Sequence, residues 1–399
     1  MTQQNQSKQT DSALEQTLQE LFGNQAHCSP LSTPMRMGRR VHGIDLKETL
    51  SGAQAGLLQT LLDQFNILSF PDQGTETFRL GHLERLANHF GAPIPHPKNF
   101  ANYIEHMRNG DTLELLPKER QTASLCDRAF PGVIKCIKDA DSPAVYVVTN
   151  LPKSGPTAIE ETASGLHWHT DIEFEPVPLS TSMFYVQYVP TSRQSDTGAW
   201  VNDIQPKPDF YHPESDPILN ARRLALPLNG ETAYADTAQA FSDLPSKQRI
   251  ELEKIMVRRR VRLSDPGWLA PLVHINPRNG RKSLHSPVWA SRGKNIAPVE
   301  VEGLSEQESR AFLDKLEAHV LQPKYRYDHI HQPGDVTIWS NFSTLHNAPP
   351  VKSVINSPKD ARLMYRISCK GEPCQQLPRE DSQDWLEKNV SPIYQSKLD

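Results

Sequence analysis

Proline restricts this chain more than any other residue type. Thirty-three of its 399 residues are proline, spread from Pro30 to Pro392. Each one fixes φ and removes a backbone donor, so it ends a helix or is pushed to the margin of a sheet. With 37% hydrophobic residues, the expected result is a set of short elements joined by irregular connections on a compact core, rather than a helical bundle. The chain is long enough to bury a sizeable core, as one large domain or two average ones.

Helices should survive only between the prolines, and three capping boxes mark where they start. Ser12-x-x-Glu15 precedes Leu14, Leu18, Leu21 and Phe22, with Gly23 as the stop, and the polar residues before it read as unstructured. Ser51-x-x-Gln54 opens a helix with Leu57, Leu58, Leu61, Leu62 and Phe65 on one face, running into a strand at Ile67–Phe70. Ser305-x-x-Glu308 caps a helix carrying Phe312, Leu313, Leu316 and Val320, with Pro323 beyond its end. A further helix is expected over Glu76–Phe90, ending at Gly91.

Strands are expected at Ala144–Thr149, Met183–Val189, Asp335–Trp339 and Leu363–Ser368, and Asn279-Gly280 signals a hairpin. Residues 100–140 show no period. The proline- and turn-rich stretch from about 206 to 270 reads as a lid-like excursion. The organisation expected is a polar N-terminal extension with a short helix over 1–35, followed by a single domain over 36–399.

Charge and cysteine usage limit the partners. The 43 basic and 47 acidic residues give a formal charge of -4, so no global field favours nucleic acid or an anionic membrane. Arg258, Arg260 and Arg262 alternate with Val257, Val261 and Leu263, which reads as the solvated face of an amphipathic strand more readily than as a nucleic-acid patch. Five cysteines without a CxxC pair indicate neither a disulfide framework nor a zinc knuckle. No signal-peptide core or bilayer-length apolar run stands out, so a soluble cytoplasmic protein is expected, with homo-oligomerisation left open.

The segment Gly165-Leu-His167-Trp-His169-Thr-Asp171 carries the chemistry. On a strand His169 and Asp171 project to one side and could share an ion. Two imidazoles and one carboxylate on one octahedral face suit a non-haem Fe(II) oxygenase. The distant histidine needed is best supplied by His346, which follows the strand expected at Asp335–Trp339. His167 shares the face of His169 and competes as a ligand. Its alternative role is to line the substrate pocket.

In these blocks the chain resembles the taurine and 2,4-dichlorophenoxyacetate dioxygenase-like enzymes, which use Fe(II) and 2-oxoglutarate. The resemblance runs from Val41-His-Gly43-Ile-Asp45 through Phe70-Pro-Asp-Gln73, Phe90-Gly91-Ala-Pro, His169-Thr-Asp171 and Asn276-Pro-Arg-Asn-Gly280 to Gln332-Pro-Gly334-Asp335 and Arg362-Leu-Met-Tyr-Arg366. It implies a mainly β fold with flanking helices, a double-stranded β-helix or jelly roll. It also implies that His169, Asp171 and His346 hold iron, and that Arg362 binds the far carboxylate of 2-oxoglutarate. Thr197 would assist there, although its Asp196-Thr197-Gly198 setting departs from the family's Gly-Asp-Thr order. Arg366 would bind an anionic substrate or support the pocket.

The implied reaction oxidises a C–H bond of a small, anionic molecule with O2, releasing succinate and CO2. Hydroxylation comes first, with desaturation or another tailoring oxidation of an amino-acid-derived metabolite as the alternative. Asp171 argues against a halogenase, in which a small residue stands at this position. A zinc hydrolase on the same ligands is a rival within enzymes, and a non-catalytic sensor of metal or 2-oxoglutarate is a rival from another class.

Overall fold

The fold is given by a computed structural model that describes residues 3–32, 37–95, 126–135, 144–151, 167–194, 200–201, 216–291, 296–352 and 355–371. Helix α1 (Gln3–Phe22) starts nine residues before the expected Ser12 cap, so Ser12 lies inside the helix and the upstream residues are helical. Glutamine and lysine are good helix formers, and a helix anchored by the buried Leu18 can propagate outward through them.

Strands β1 (His27–Pro30) and β2 (Arg39–His42) follow as an antiparallel pair. Gly43 then turns the chain at φ 74°, where a Cβ would lie 2.4 Å from the Gln25 carbonyl oxygen. Helix α2 (Gly52–Phe65) has both bonds of the expected capping box. Asn66 ends it in the left-handed conformation and leads straight into β3 (Ile67–Phe70). Helix α3 (Leu80–Asn88) is shorter than expected, since the chain turns at Gly74 before it forms.

Next come β4 (Ala92–Pro93), β5 (Tyr146–Thr149) and β6 (Leu179–Tyr188). Helix α4 (Pro217–Leu224), β7 (Thr232–Asp236), α5 (Thr237–Ser242) and α6 (Ser246–Leu252) precede β8 (Met256–Arg259), β9 (Trp268–Pro271) and β10 (Val273–Ile275). The remainder is β11 (Lys282–Leu284), β12 (Glu300–Val301), α7 (Glu306–Val320), β13 (Arg326–His329), β14 (Val336–Ser340), β15 (Thr344–Asn347) and β16 (Leu363–Lys370).

The fold is mainly β. The largest sheet runs β1-β2-β3-β14-β6-β16-β4, with β5 also on β16. Its central strands alternate between two cores, as period-two geometry requires. Met183, Tyr185, Val336, Ile338, Tyr365 and Ile367 pack beneath α2 and α3. Phe184, Val186, Trp339 and Met364 face the other way, toward Tyr234 of a second sheet, β13-β7-β15. The gap between these two sheets holds the candidate site.

The described part of the stretch read as an excursion is built into the structure: β7 is buried at every residue and sits between β13 and β15. Its sequence Thr-Ala-Tyr-Ala-Asp is poor in β-branched apolar residues, so local pattern gave no strand signal. The arginine-rich strand also differs from expectation. Arg259 points inward with Val257 and donates to the carbonyls of His285 and Ser286, at 2.8 and 3.1 Å, while Leu263 is 70% exposed. The hairpin β10–β11 forms as expected, closed by a loop in which Gly280 has φ 69°. Most of 100–140 lies outside the described residues.

Candidate metal centre

A single backbone bridge assembles the candidate metal-ligating group. His169 is not on a regular strand as expected; it makes one isolated antiparallel bridge with His346 on β15. The His169 N–H donates to the His346 carbonyl at 3.0 Å, and the His346 N–H returns the bond at 2.8 Å. The exchange sets the two imidazoles side by side, with ring centroids 4.2 Å apart. The Thr170 hydroxyl donates to the Thr344 carbonyl at 3.1 Å, and the chain turns at Ile172 with φ 49°. Asp171 is thereby directed back at the pair: its Oδ1 lies 3.9 Å from His169 Nε2 and 3.6 Å from His346 Nε2.

His169, Asp171 and His346 offer ligand atoms all within 4.8 Å of one another. His167 is not in this group. Its carbonyl instead accepts the His169 Nδ1 at 2.9 Å. That bond places the proton on Nδ1 and leaves the Nε2 lone pair for a cation, a common way of orienting a ligating imidazole.

Asp171 is 1% exposed. Burial alone would raise its pKa, but the Arg366 guanidinium and the two imidazoles overcome this and hold the carboxyl well below the usual range. Arg366 Nη1 donates to Oδ1 at 3.1 Å, and the Ser182 hydroxyl on β6 donates to Oδ2 at 2.9 Å. Ser182 Oγ accepts in turn from Asn341 Nδ2 at 3.0 Å and lies 3.0 Å from Ser368 Oγ. Both carboxylate oxygens are thus fixed, Oδ2 by the buried Ser182 and Oδ1 by the partly buried Arg366. Ser182 and Ser368 carry no motif signal, but both are polar residues at inward-facing positions of central strands, a pattern that could have drawn attention to them.

Arg362 sits just before β16 and is 4% exposed, with Nε 3.2 Å from Met364 Sδ. Among the described residues it forms no ion pair with a carboxylate. Burial, assisted by Arg193, lowers its pKa to about 10, and it stays charged at neutral pH. Arg362 and Arg366 share the inward face of the same extended segment, as their spacing suggests.

Thr197 lies outside the described residues. The structure instead brings Thr232 into the gap, two residues before Tyr234, the register partner of His346. Its setting, Gly230-Glu231-Thr232, is nearer to the expected Gly-acid-Thr order than the residues around Thr197. Thr232 Oγ1 is 2.8 Å from His331 Nε2. Tyr234 is fully buried, and its hydroxyl has no hydrogen-bond partner among the described residues. Burial and the Asp171 charge raise its pKa well above the ordinary phenol value and keep it protonated.

Comparison with known proteins gives the family. Residues 28–368 match the family described as taurine catabolism dioxygenase TauD, TfdA. Pentalenolactone F synthase from Streptomyces arenae is 27% identical over 227 residues, covering 56% of this chain and 68% of that one. The alpha-ketoglutarate-dependent 2,4-dichlorophenoxyacetate dioxygenase of Burkholderia sp. (strain RASC) is 28% identical over 194 residues, covering 45% of this chain and 60% of its own length.

Among solved structures, a taurine dioxygenase from Burkholderia xenovorans superposes with a TM-score of 0.53 at 19% identity, covering 92% of this chain and 99% of that one. AAD-2 in complex with Mn(II) and N-oxalylglycine gives 0.52 at 18% identity, covering 88% and 99%. At these identities the superpositions establish the fold alone, whereas the family match extends over most of the chain. No helix among the described residues is long and apolar enough to cross a membrane. The chain belongs to the TauD, TfdA family of Fe(II)- and 2-oxoglutarate-dependent dioxygenases.

Proposed function

We propose that His169, Asp171 and His346 hold Fe(II), and that the enzyme oxidises a C–H bond of a small anionic molecule at this centre. The observation that carries the reading is the convergence of three ligand atoms within 4.8 Å, with the charged member already ionised by Arg366. The donor set fits the metal: two neutral imidazole nitrogens and one carboxylate make a facial triad that leaves coordination positions for co-substrate and O2. A structural zinc site would close its coordination sphere instead. Bound iron supplies the chemistry by which 2-oxoglutarate is oxidatively decarboxylated to succinate and CO2 while the substrate is oxidised.

The chain's own residues bind and orient. Arg362, a buried guanidinium with no carboxylate partner among the described residues, receives the far carboxylate of 2-oxoglutarate through paired hydrogen bonds. Thr232 and the Tyr234 hydroxyl, both buried on β7, line the path from there to the triad. Arg366 orients Asp171 with one N–H, and a guanidinium has five, so it also serves an anionic group on the substrate. Low exposure around the triad excludes bulk water and strengthens each of these contacts.

The same reading carries a double-stranded β-helix, supported by the two facing sheets and the superpositions. It also carries a cytoplasmic location and no nucleic-acid partner.

The test is anaerobic addition of Fe(II) and 2-oxoglutarate, which should produce the weak visible charge-transfer band of the chelate. Asp171→Ala should abolish that band and succinate release, while His167→Ala retains both. A firmly bound zinc with no band would overturn the reading. Succinate release screened across sulfonates, carboxylates and amino acids then assigns the substrate.

A further inference from the structure

Resting on the co-substrate reading above, we propose that Arg193 is a second cation for the distal carboxylate of 2-oxoglutarate, so that this carboxylate binds between two guanidiniums. Arg193 lies in the one-turn helix Ser192–Gln194 that follows β6. The Ser192 hydroxyl ties that turn to the residues just before Arg362, reaching the Lys359 carbonyl at 3.0 Å and Asp360 Oδ1 at 2.7 Å. Arg193 is therefore carried to the Arg362 end of the gap.

Arg193 is 8% exposed. Its Nη2 donates to the His331 carbonyl, while its Nη1 is buried with no hydrogen-bond partner among the described residues. Two more orphaned polar atoms belong to the same cluster, His331 Nδ1 and the Tyr234 hydroxyl. Buried polar groups are rarely left unpaired in a native protein unless a ligand or water completes them. Unpaired polar atoms from three separate elements thus lie in a cluster whose Tyr234 and His331 both feel the Arg362 charge, a setting that an anion would complete.

Charge balance points the same way. Arg193 lowers the proton affinity of Arg362 through like charge, both arginines lower that of His331, and Glu231 is the carboxylate that acts on both arginines. Asp335, also near Arg193, is already engaged by Arg40 at 2.8 Å. His331 is held neutral by burial and by the neighbouring positive charges. The cluster therefore carries one more positive than negative charge in a buried setting, an unfavourable state that a carboxylate relieves. A single arginine would leave Arg193 Nη1 and the excess charge without a purpose.

The experiment measures binding to Mn(II)-loaded protein by calorimetry, with 2-oxoglutarate, N-oxalylglycine and, as a ligand lacking the distal carboxylate, pyruvate. Arg193→Gln should weaken the two dicarboxylates by about 10- to 100-fold, the worth of one charge-assisted hydrogen bond, and leave pyruvate unchanged. Arg193→Lys should fall between. Glu231→Gln, which removes the counter-charge without touching either arginine, should tighten 2-oxoglutarate, and it decides the matter if Arg193→Gln does not fold.

Wild-type affinity in Arg193→Lys together with no tightening in Glu231→Gln would overturn the proposal. Arg362→Gln separates the two levels. If it abolishes 2-oxoglutarate binding while the Arg193 variants do not weaken it, only this inference falls. If it too binds normally, the co-substrate reading itself falls.

Discussion

Replacing Ser182 with alanine removes one hydrogen bond from the carboxylate proposed to ligate the metal and leaves every candidate ligand atom in place. The Ser182 hydroxyl donates to Asp171 Oδ2 at 2.9 Å, the oxygen turned away from the imidazoles, while Oδ1 faces both Nε2 atoms. Losing that bond removes one of the contacts that fix the orientation of the buried carboxylate. A hydrogen bond to a charged acceptor is worth about 1.5–3 kcal/mol, which corresponds to roughly 10- to 150-fold in an equilibrium constant. Losses on removing an outer partner of a metal ligand run at about 10- to 100-fold.

Ser182→Ala should therefore weaken Fe(II) binding by one to two orders of magnitude, measured anaerobically by competition with a chelator. Ser368→Ala is the matched control. It lies 3.0 Å from Ser182 Oγ and does not contact Asp171, and Ser182 still accepts from Asn341, so its effect should be much smaller. Equal affinity in wild type and Ser182→Ala, with unchanged circular dichroism, would refute the reasoning.

Glu317→Ala should destabilise the fold by roughly 3 kcal/mol, because it strips the buried Arg223 guanidinium of the carboxylate that Nε reaches at 2.8 Å; urea unfolding checks this, and a loss below about 1 kcal/mol would contradict it. Burial, aided by the Arg40 charge, lowers the His329 pKa from 6.5 to about 3, so the folded state keeps it neutral while the unfolded chain protonates. Its contribution is fully present above pH 6.5 and is lost as pH falls toward 3, up to about 5 kcal/mol at full protonation. Denaturant midpoints at pH 7 and pH 5 should differ more in the wild type than in His329→Gln.

Local signals decided part of this protein by sequence alone. Ser51 and Ser305 form the capping boxes their spacing encodes, because a cap is satisfied within one turn of its own helix. The inward face shared by Arg362 and Arg366 follows from period two, and Met183, Tyr185 and Ile367 face the core for the same reason. Other features depended on partners far along the chain. Nothing near Thr232–Asp236 announces a strand, since its pairing comes from β13 and β15, roughly a hundred residues on. Thr232 and Tyr234 were hidden with it.

His169 and Asp171 were legible as a pair, because the His-x-Asp step puts an imidazole and a carboxylate on one side, but His167 remained a competitor. Both stood on one face of the strand expected there. Only the bridge to His346, 177 positions away, fixed which imidazole turns toward the carboxylate and which residue's carbonyl holds the ring. Sequence supplied the ligand types and their spacing, because donor chemistry resides in single residues. Tertiary structure supplied the metal centre, because convergence within 4.8 Å depends on two sheets meeting.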